Sequence, residues 1–247
     1  MLQLLLRFFC FLFMISPAVY ASEKTFVIGV QNAAYSPLYH FPDTSHTKEL
    51  LDAFAESKGY TFTYLPLPLK RINYWYQEEV IDFKYPDSTK WSQGRSFFSK
   101  LTFSDPAIKL VAGTMVRKGE EGRKREDIAT IGTLFGFHAT MWSDQIATGK
   151  TQLIESPSVL NIVKQVLYGH IDATNIEQSV VNYYLKILNK EGALVIDKSL
   201  PHEVYTYQLS TVKYPYVIDE FNTFLKENQP FLEALRKQYN IIDTCNY

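Results

Sequence analysis

A change of hydrophobic period, repeated along the chain, constrains this sequence most. Residues 25–30 (Thr-Phe-Val-Ile-Gly-Val) are a continuous β-rich apolar run, and residues 47–58 carry Leu50, Leu51 and Phe54 at helical spacing with Gly59 behind them. Residues 60–65 (Tyr-Thr-Phe-Thr-Tyr-Leu) then alternate with period two. Strand, amphipathic helix and strand in that order make a β-α-β unit, the building block of parallel sheets covered by helices. A second set follows. Residues 128–134 predict a strand, and a helix then starts with Ser156 as N-cap and Pro157 in its first turn. That helix turns Val159, Leu160, Val163, Val166 and Leu167 inward and stops at Gly169. Residues 171–174 predict a strand, 177–189 a helix and 193–197 a strand, while 204–212 is β-rich and helices at 217–228 and 230–239 close the chain. The charged stretch 117–127 predicts a solvated loop between two lobes. No internal repeat or low-complexity tract interrupts this order. The 247 residues suffice for one large domain or two lobes of about 100 residues each.

The first 21 residues differ from the rest. Arg7 precedes an apolar run over 8–15, then come Pro17 and Val19-Tyr20-Ala21 before Ser22, the pattern of a cleaved secretory signal peptide. The apolar core is too short to cross a bilayer of about 30 Å, so a soluble periplasmic chain is expected. Cys10 falls inside that leader. The other cysteine, Cys245, then has no intrachain partner, and an apolar core must carry stability in an oxidising compartment. A monomer is expected, with an intermolecular disulfide through Cys245 left open. The 25 basic and 26 acidic residues balance to a net charge of −1, which offers neither nucleic acid nor an anionic membrane a field to bind. The 17 Tyr and 17 Phe suit a core and equally a pocket that stacks on flat or apolar groups.

Motifs for catalysis are missing from the sequence: no Gly-x-Ser-x-Gly elbow, no His-Glu-x-x-His, no phosphate-cradling glycine loop. His40, Asp43 and His46 stand close together, but their spacing is that of a polar loop as much as of a metal site. Neither metal nor cofactor is expected, and binding is the better expectation than catalysis. Candidate ligand contacts lie at strand-to-helix junctions, because open α/β sheets bind ligands beyond the carboxyl ends of their strands. These junctions hold Tyr35 and Tyr39 after the first strand, Arg71 after the second, Tyr85, Asp87, Trp91 and Arg95 in the third, and Gly136, His138, Thr140 and Glu177 in the second half. Each has a simpler role: the arginines as surface ion-pair partners, the aromatic residues as core, and Glu177 as an acid complementing a helix dipole. A guanidinium on one lobe with a carboxylate on the other would hold the two ends of a zwitterion.

Several of these stretches occur together in a known order. Phe26-Val-Ile-Gly-Val followed by Tyr35-Ser-Pro, Phe103-Ser-Asp-Pro, Gly169-His-Ile-Asp-Ala with Asn175-Ile-Glu, and Leu235-Arg-Lys-Gln-Tyr resemble the bacterial extracellular solute-binding proteins of the amino-acid type. The resemblance implies an α/β, two-lobed periplasmic binding protein type II fold, each lobe a mixed sheet flanked by helices, with a hinge. It implies lobe 1 at 24–108 plus 205–247 and lobe 2 at 109–204. It further implies that Arg95, eight residues before Phe103, grips a ligand carboxylate, that Glu177, five after Asp172, takes its amine, and that Gly136 lies at the carboxylate loop. The partner would be an ABC-type permease or a membrane sensor. An enzyme on the same fold, similar to the cyclohexadienyl dehydratases, is the alternative, with Asp87, His138 and Glu177 as its acid/base groups.

Overall fold

The computed structural model describes residues 24–41, 43–71, 74–76, 80–91 and 100–243. The predicted leader, Arg95 and Cys245 lie outside the described residues. In chain order, strand β1 (Lys24–Gln31) leads through helix α1 (His46–Lys58) to β2 (Tyr60–Leu67), then β3 (Phe83–Asp87), β4 (Thr102–Phe103) and β5 (Ile108–Gly113). Next come β6 (Met115–Arg117), β7 (Thr130–Leu134), the short helix α2 (Ser143–Ala147), β8 (Gln152–Ser156), α3 (Val159–Leu167), β9 (Ala173–Thr174), α4 (Gln178–Ile187) and β10 (Leu194–Ile196). The long strand β11 (His202–Thr211) and helices α5 (Pro215–Glu227) and α6 (Gln229–Gln238) follow.

These strands form two mixed sheets. The first has the order β2-β1-β3-β11-β4 with β5 joined to β11, and the second β10-β6-β9-β7-β8. The β-α-β pattern accounts for the parallel core of each: β1 pairs with β2 from Lys24↔Tyr60 to Gln31↔Leu67, and β7 pairs with β8 from Thr130↔Gln152 to Leu134↔Ser156. Helix α1 forms because Ser45 caps it, its hydroxyl accepting from the Lys48 N–H at 3.4 Å, and because Gly59 ends it at φ 65°, a left-handed conformation that glycine adopts without penalty. Its buried face carries Leu50, Leu51 and Phe54. The Phe54 ring lies 4.9 Å from Phe221, 5.6 Å from Phe224 and 5.9 Å from Phe62, so α1, α5 and β2 share one aromatic core. The main apolar cluster runs on from Phe26 and Phe54 through Leu110 and Met115 to Val163 and Val180, linking the two sheets.

Local differences from the sequence reading have clear causes. Ser156 ends β8 and its carbonyl accepts from the Phe135 N–H, because a residue before proline favours extended backbone; Ser158 caps α3 instead, accepting from the Asn161 N–H. Leu69–Arg71 make a single 3-10 turn. The charged stretch 117–127 joins β6 to β7 within the second sheet rather than bridging the lobes. Its charges are paired locally, Arg117 with Glu120 at 2.7 Å and Arg123 with Asp172 at 3.2 Å.

Truncating Phe54 to Ala removes the ring on which three elements converge and should cost about 3–5 kcal/mol in urea unfolding. Tyr168→Ala, at a side chain 71% exposed, should stay within about 0.5 kcal/mol of the parent.

Candidate functional site

The two sheets are joined by a ribbon. β5 and β11 run antiparallel from Tyr207↔Ile108 to His202↔Gly113, and Thr114, just beyond, donates both its N–H and its hydroxyl to the Pro201 carbonyl. Period-two alternation along β11 sends Tyr205 and Tyr207 to the same face. On that face the ends of both sheets meet.

Tyr207 is the hub of an aromatic cluster there. Its ring lies 5.6 Å from Tyr205, 6.2 Å from Tyr85, 5.8 Å from Trp91 and 6.5 Å from Tyr39. Tyr39 stacks on Tyr35 at 5.1 Å and donates its hydroxyl hydrogen bond to the Gln31 side chain. The pairing Tyr35↔Tyr39 folds the loop after β1 into a tight bridge that presents both rings. Tyr35 then crosses to the other sheet: its ring is 5.2 Å from Phe137, in the loop after β7, and its hydroxyl accepts from the Glu177 N–H at 3.1 Å. Burial raises the phenols of Tyr35, Tyr39, Tyr205 and Tyr207 well above their ordinary value; neighbouring tyrosines add to it for Tyr35, Tyr39 and Tyr205, while hydrogen bonds to Tyr205 and Tyr39 offset part of it for Tyr207, and all four stay neutral.

Glu177 sits at the junction of these elements. It caps α4, its carboxylate accepting from the Val180 N–H at 2.9 Å and the Ser179 hydroxyl at 2.9 Å, and its backbone bridges to Ala112 in the ribbon. Burial pushes its carboxyl up to about 7, against the pull of the Ser179 and Val180 donors. The capping role is thus the one visible in its contacts. Nearby, the Gly132↔Thr174 register of β7 and β9 brings Thr133 and Asn175 side by side at the carboxyl ends of these strands. The buried Thr133 hydroxyl and Asn175 side-chain carbonyl have no hydrogen-bond partner among the described residues.

The other candidates divide. Tyr85 is buried under Tyr207, and Trp91, 40% exposed, stands at the rim. Asp87 turns into the first lobe, where it pairs with Lys84 at 2.8 Å and accepts from the Ser210 hydroxyl and the Ser88 N–H. Arg71 is exposed at the end of its turn. Gly136, at φ 87°, donates its N–H to Glu155, and His138 and Thr140 are exposed beyond it. Sequence reasoning missed Tyr205 and Tyr207. The signal was the alternation Val204-Tyr205-Thr206-Tyr207-Gln208, which marks two tyrosines on one face without saying what the face meets.

Beside the cluster lies a cavity of about 210 Å³, open at one side and lined from the first lobe by Asn32, Leu69 and Lys70 and from the second by Leu134, Phe137 and Pro157. It lies past the carboxyl ends of β1, β2, β7 and β8. Two mixed sheets joined by a two-strand ribbon, with strand ends facing each other across a cavity, match many solved structures over nearly the whole described chain. The fold is that of the periplasmic binding proteins. An ancestral arginine-binding protein bound to arginine superposes with a TM-score of 0.68 at 17% identity, covering 88% of this chain and 98% of that one. A substrate-binding protein of an amino acid ABC transporter from Streptococcus pneumoniae, bound to L-arginine, gives 0.67 at 16% identity over 87% and 94%. A histidine kinase sensor domain with similarity to periplasmic binding proteins gives 0.67 at 16% identity over 90% and 99%. No protein-family model and no curated protein matches the sequence.

Because its folded carboxyl titrates near 7, Glu177 contributes stability that is full below pH about 4.5 and is lost as pH rises through about 7. Urea midpoints measured from pH 4.5 to 8 should fall more steeply for the parent than for Glu177→Gln. Asp87→Ala strands the buried Lys84 charge and should cost about 3–5 kcal/mol, the loss expected of a structural ion pair.

Proposed function

We propose that this chain binds a small amino-acid-like molecule in the seam between its two lobes and catalyses no reaction on it. The observation that carries this reading is the cavity of about 210 Å³ built from both lobes at facing strand ends. The buried Thr133 hydroxyl and Asn175 side-chain carbonyl, without a hydrogen-bond partner among the described residues, support it, because buried polar groups cost stability until something satisfies them. Solved relatives of the fold include amino-acid-binding proteins, which supports the ligand class. In this reading the lobes divide at 24–108 with 205–247 and 109–204, β5 and β11 form the hinge, and ligand contacts select the closed arrangement. Phe137 lines the cavity, Tyr35 packs on it with Tyr39 and Tyr207 behind, and on the family resemblance Glu177 would meet the ligand amine. The leader at residues 1–21 supports export to the periplasm, with delivery of the ligand to an ABC-type permease as the role.

The test is a thermal-shift and calorimetric screen of the purified chain against amino acids, organic acids and polyamines, repeated with Tyr207→Ala. A ligand present at about 100 times its dissociation constant adds about 2.7 kcal/mol. The expected result is stabilisation by one class, recovery of that compound unchanged, and weakening by Tyr207→Ala. Chemical conversion of the compound, or stabilisation that Tyr207→Ala leaves intact, would overturn the proposal.

A further inference from the structure

Among the described residues that line the interlobe cavity, Lys70 alone bears a formal charge; Leu69, Leu134, Phe135 and Phe137 make the rest largely apolar, with the Asn32 amide at the β1 end. The Lys70 ammonium reaches across the seam from the first lobe. It sits 3.6 Å from the centroid of the Phe135 ring and 3.7 Å from a Glu155 carboxylate oxygen, both in the second lobe. Glu155 is held from the other side, its second oxygen accepting from the Gly136 N–H at 2.8 Å. The Lys70–Glu155 pair is long, and the side chains are 53% and 32% exposed, so solvent screens it and an anion competes for the lysine at little cost.

Resting on the binding reading above, we propose that this cavity selects a compact monocarboxylate with an apolar body, whose carboxylate takes the Lys70 ammonium and whose body lies on Leu69, Leu134 and Phe137. The size agrees: a cavity of about 210 Å³ has room for a small acid. The charge agrees as well. Among the described residues no acidic side chain lines the cavity, so a ligand bringing a guanidinium or a second ammonium into it meets Lys70 with only the screened Glu155 carboxylate beside it. The Phe135 ring lies against the Lys70 ammonium across the seam, and a charge-assisted hydrogen bond to an entering carboxylate adds to that contact. Since Lys70 and Phe135 belong to different lobes, the carboxylate is gripped only when the lobes meet, and ligand charge and closure are read by the same residue.

Calorimetry on the full chain separates this claim from the binding reading. The probes are benzoate and 4-methylpentanoate, their neutral amides, and L-arginine, each against the parent, Lys70→Met and Lys70→Arg, with urea midpoints confirming that the variants fold. The carboxylates are expected to bind, the amides about ten-fold or more weaker, and L-arginine weaker still. Lys70→Met should cost the carboxylates about ten-fold or more and leave the amides unchanged, while Lys70→Arg keeps most of the carboxylate affinity. Equal binding of acid and amide, or a Lys70→Met affinity within about two-fold of the parent, overturns the inference. If other compounds bind in a manner sensitive to Tyr207→Ala while neither carboxylate does, the seam remains a binding site and the charge selection alone falls.

Discussion

The antiparallel pairing of β5 with β11 is the constraint on which the rest of the molecule depends. It is the connection that carries the chain from the first sheet to the second and back, and its hydrogen-bonded register sets how the strand ends of one lobe confront those of the other. Without that register, Tyr205 and Tyr207 would not share a face aimed at the seam. The loops after β1 and β7 would then have no common surface to pack on.

What assembles on the ribbon is a tyrosine-rich wall rather than a hydrocarbon core, and the chemistry of the phenol explains why. A tyrosine buries a large apolar ring yet keeps a hydroxyl that must find a partner, so a cluster of them can be dense and still polar at chosen points. Tyr39 places its hydroxyl on Gln31 and Tyr35 accepts from the Glu177 backbone across the seam. The same low-dielectric surroundings that keep the phenols neutral raise the Glu177 carboxyl to about 7. A titratable group therefore sits at the meeting point of the ribbon, helix α4 and the loop of the opposite lobe. In the first lobe, Asp87, Lys84 and Ser210 form a separate buried network whose contacts all lie inside the lobe. It holds β3 to β11 within that lobe.

Much of the fold was legible in local pattern. Helix α1 could be bounded from Gly59, α5 and α6 appeared from helical spacing near the C-terminus, and the two β-α-β sets announced parallel sheets, because burial of one face forces period upon sequence. The local signal is weak at β8, because Gln152-Leu153-Ile154-Glu155-Ser156 is short and half-exposed and the proline after Ser156 is compatible with either a strand end or a helix start. The charged stretch 117–127 is ambiguous for a related reason: its composition marks it as solvated, but solvation is the same within a lobe as between lobes.

The division between sequence and tertiary structure follows the range of the interactions involved. The sequence by itself determined the alternation of strands and helices, the junctions at which polar and aromatic residues gather, and the balance of charge, since each depends on neighbours within a few turns. Tertiary structure alone decided which junctions face one another. It carried Asp87 onto Ser210 of β11, bridged Glu177 to Ala112 in the ribbon, and brought Lys70 over Phe135 and Tyr35 beside Phe137 from opposite lobes. Those partners are separated by long stretches of chain, and no local pattern records a contact that exists only after two sheets have packed through a shared ribbon.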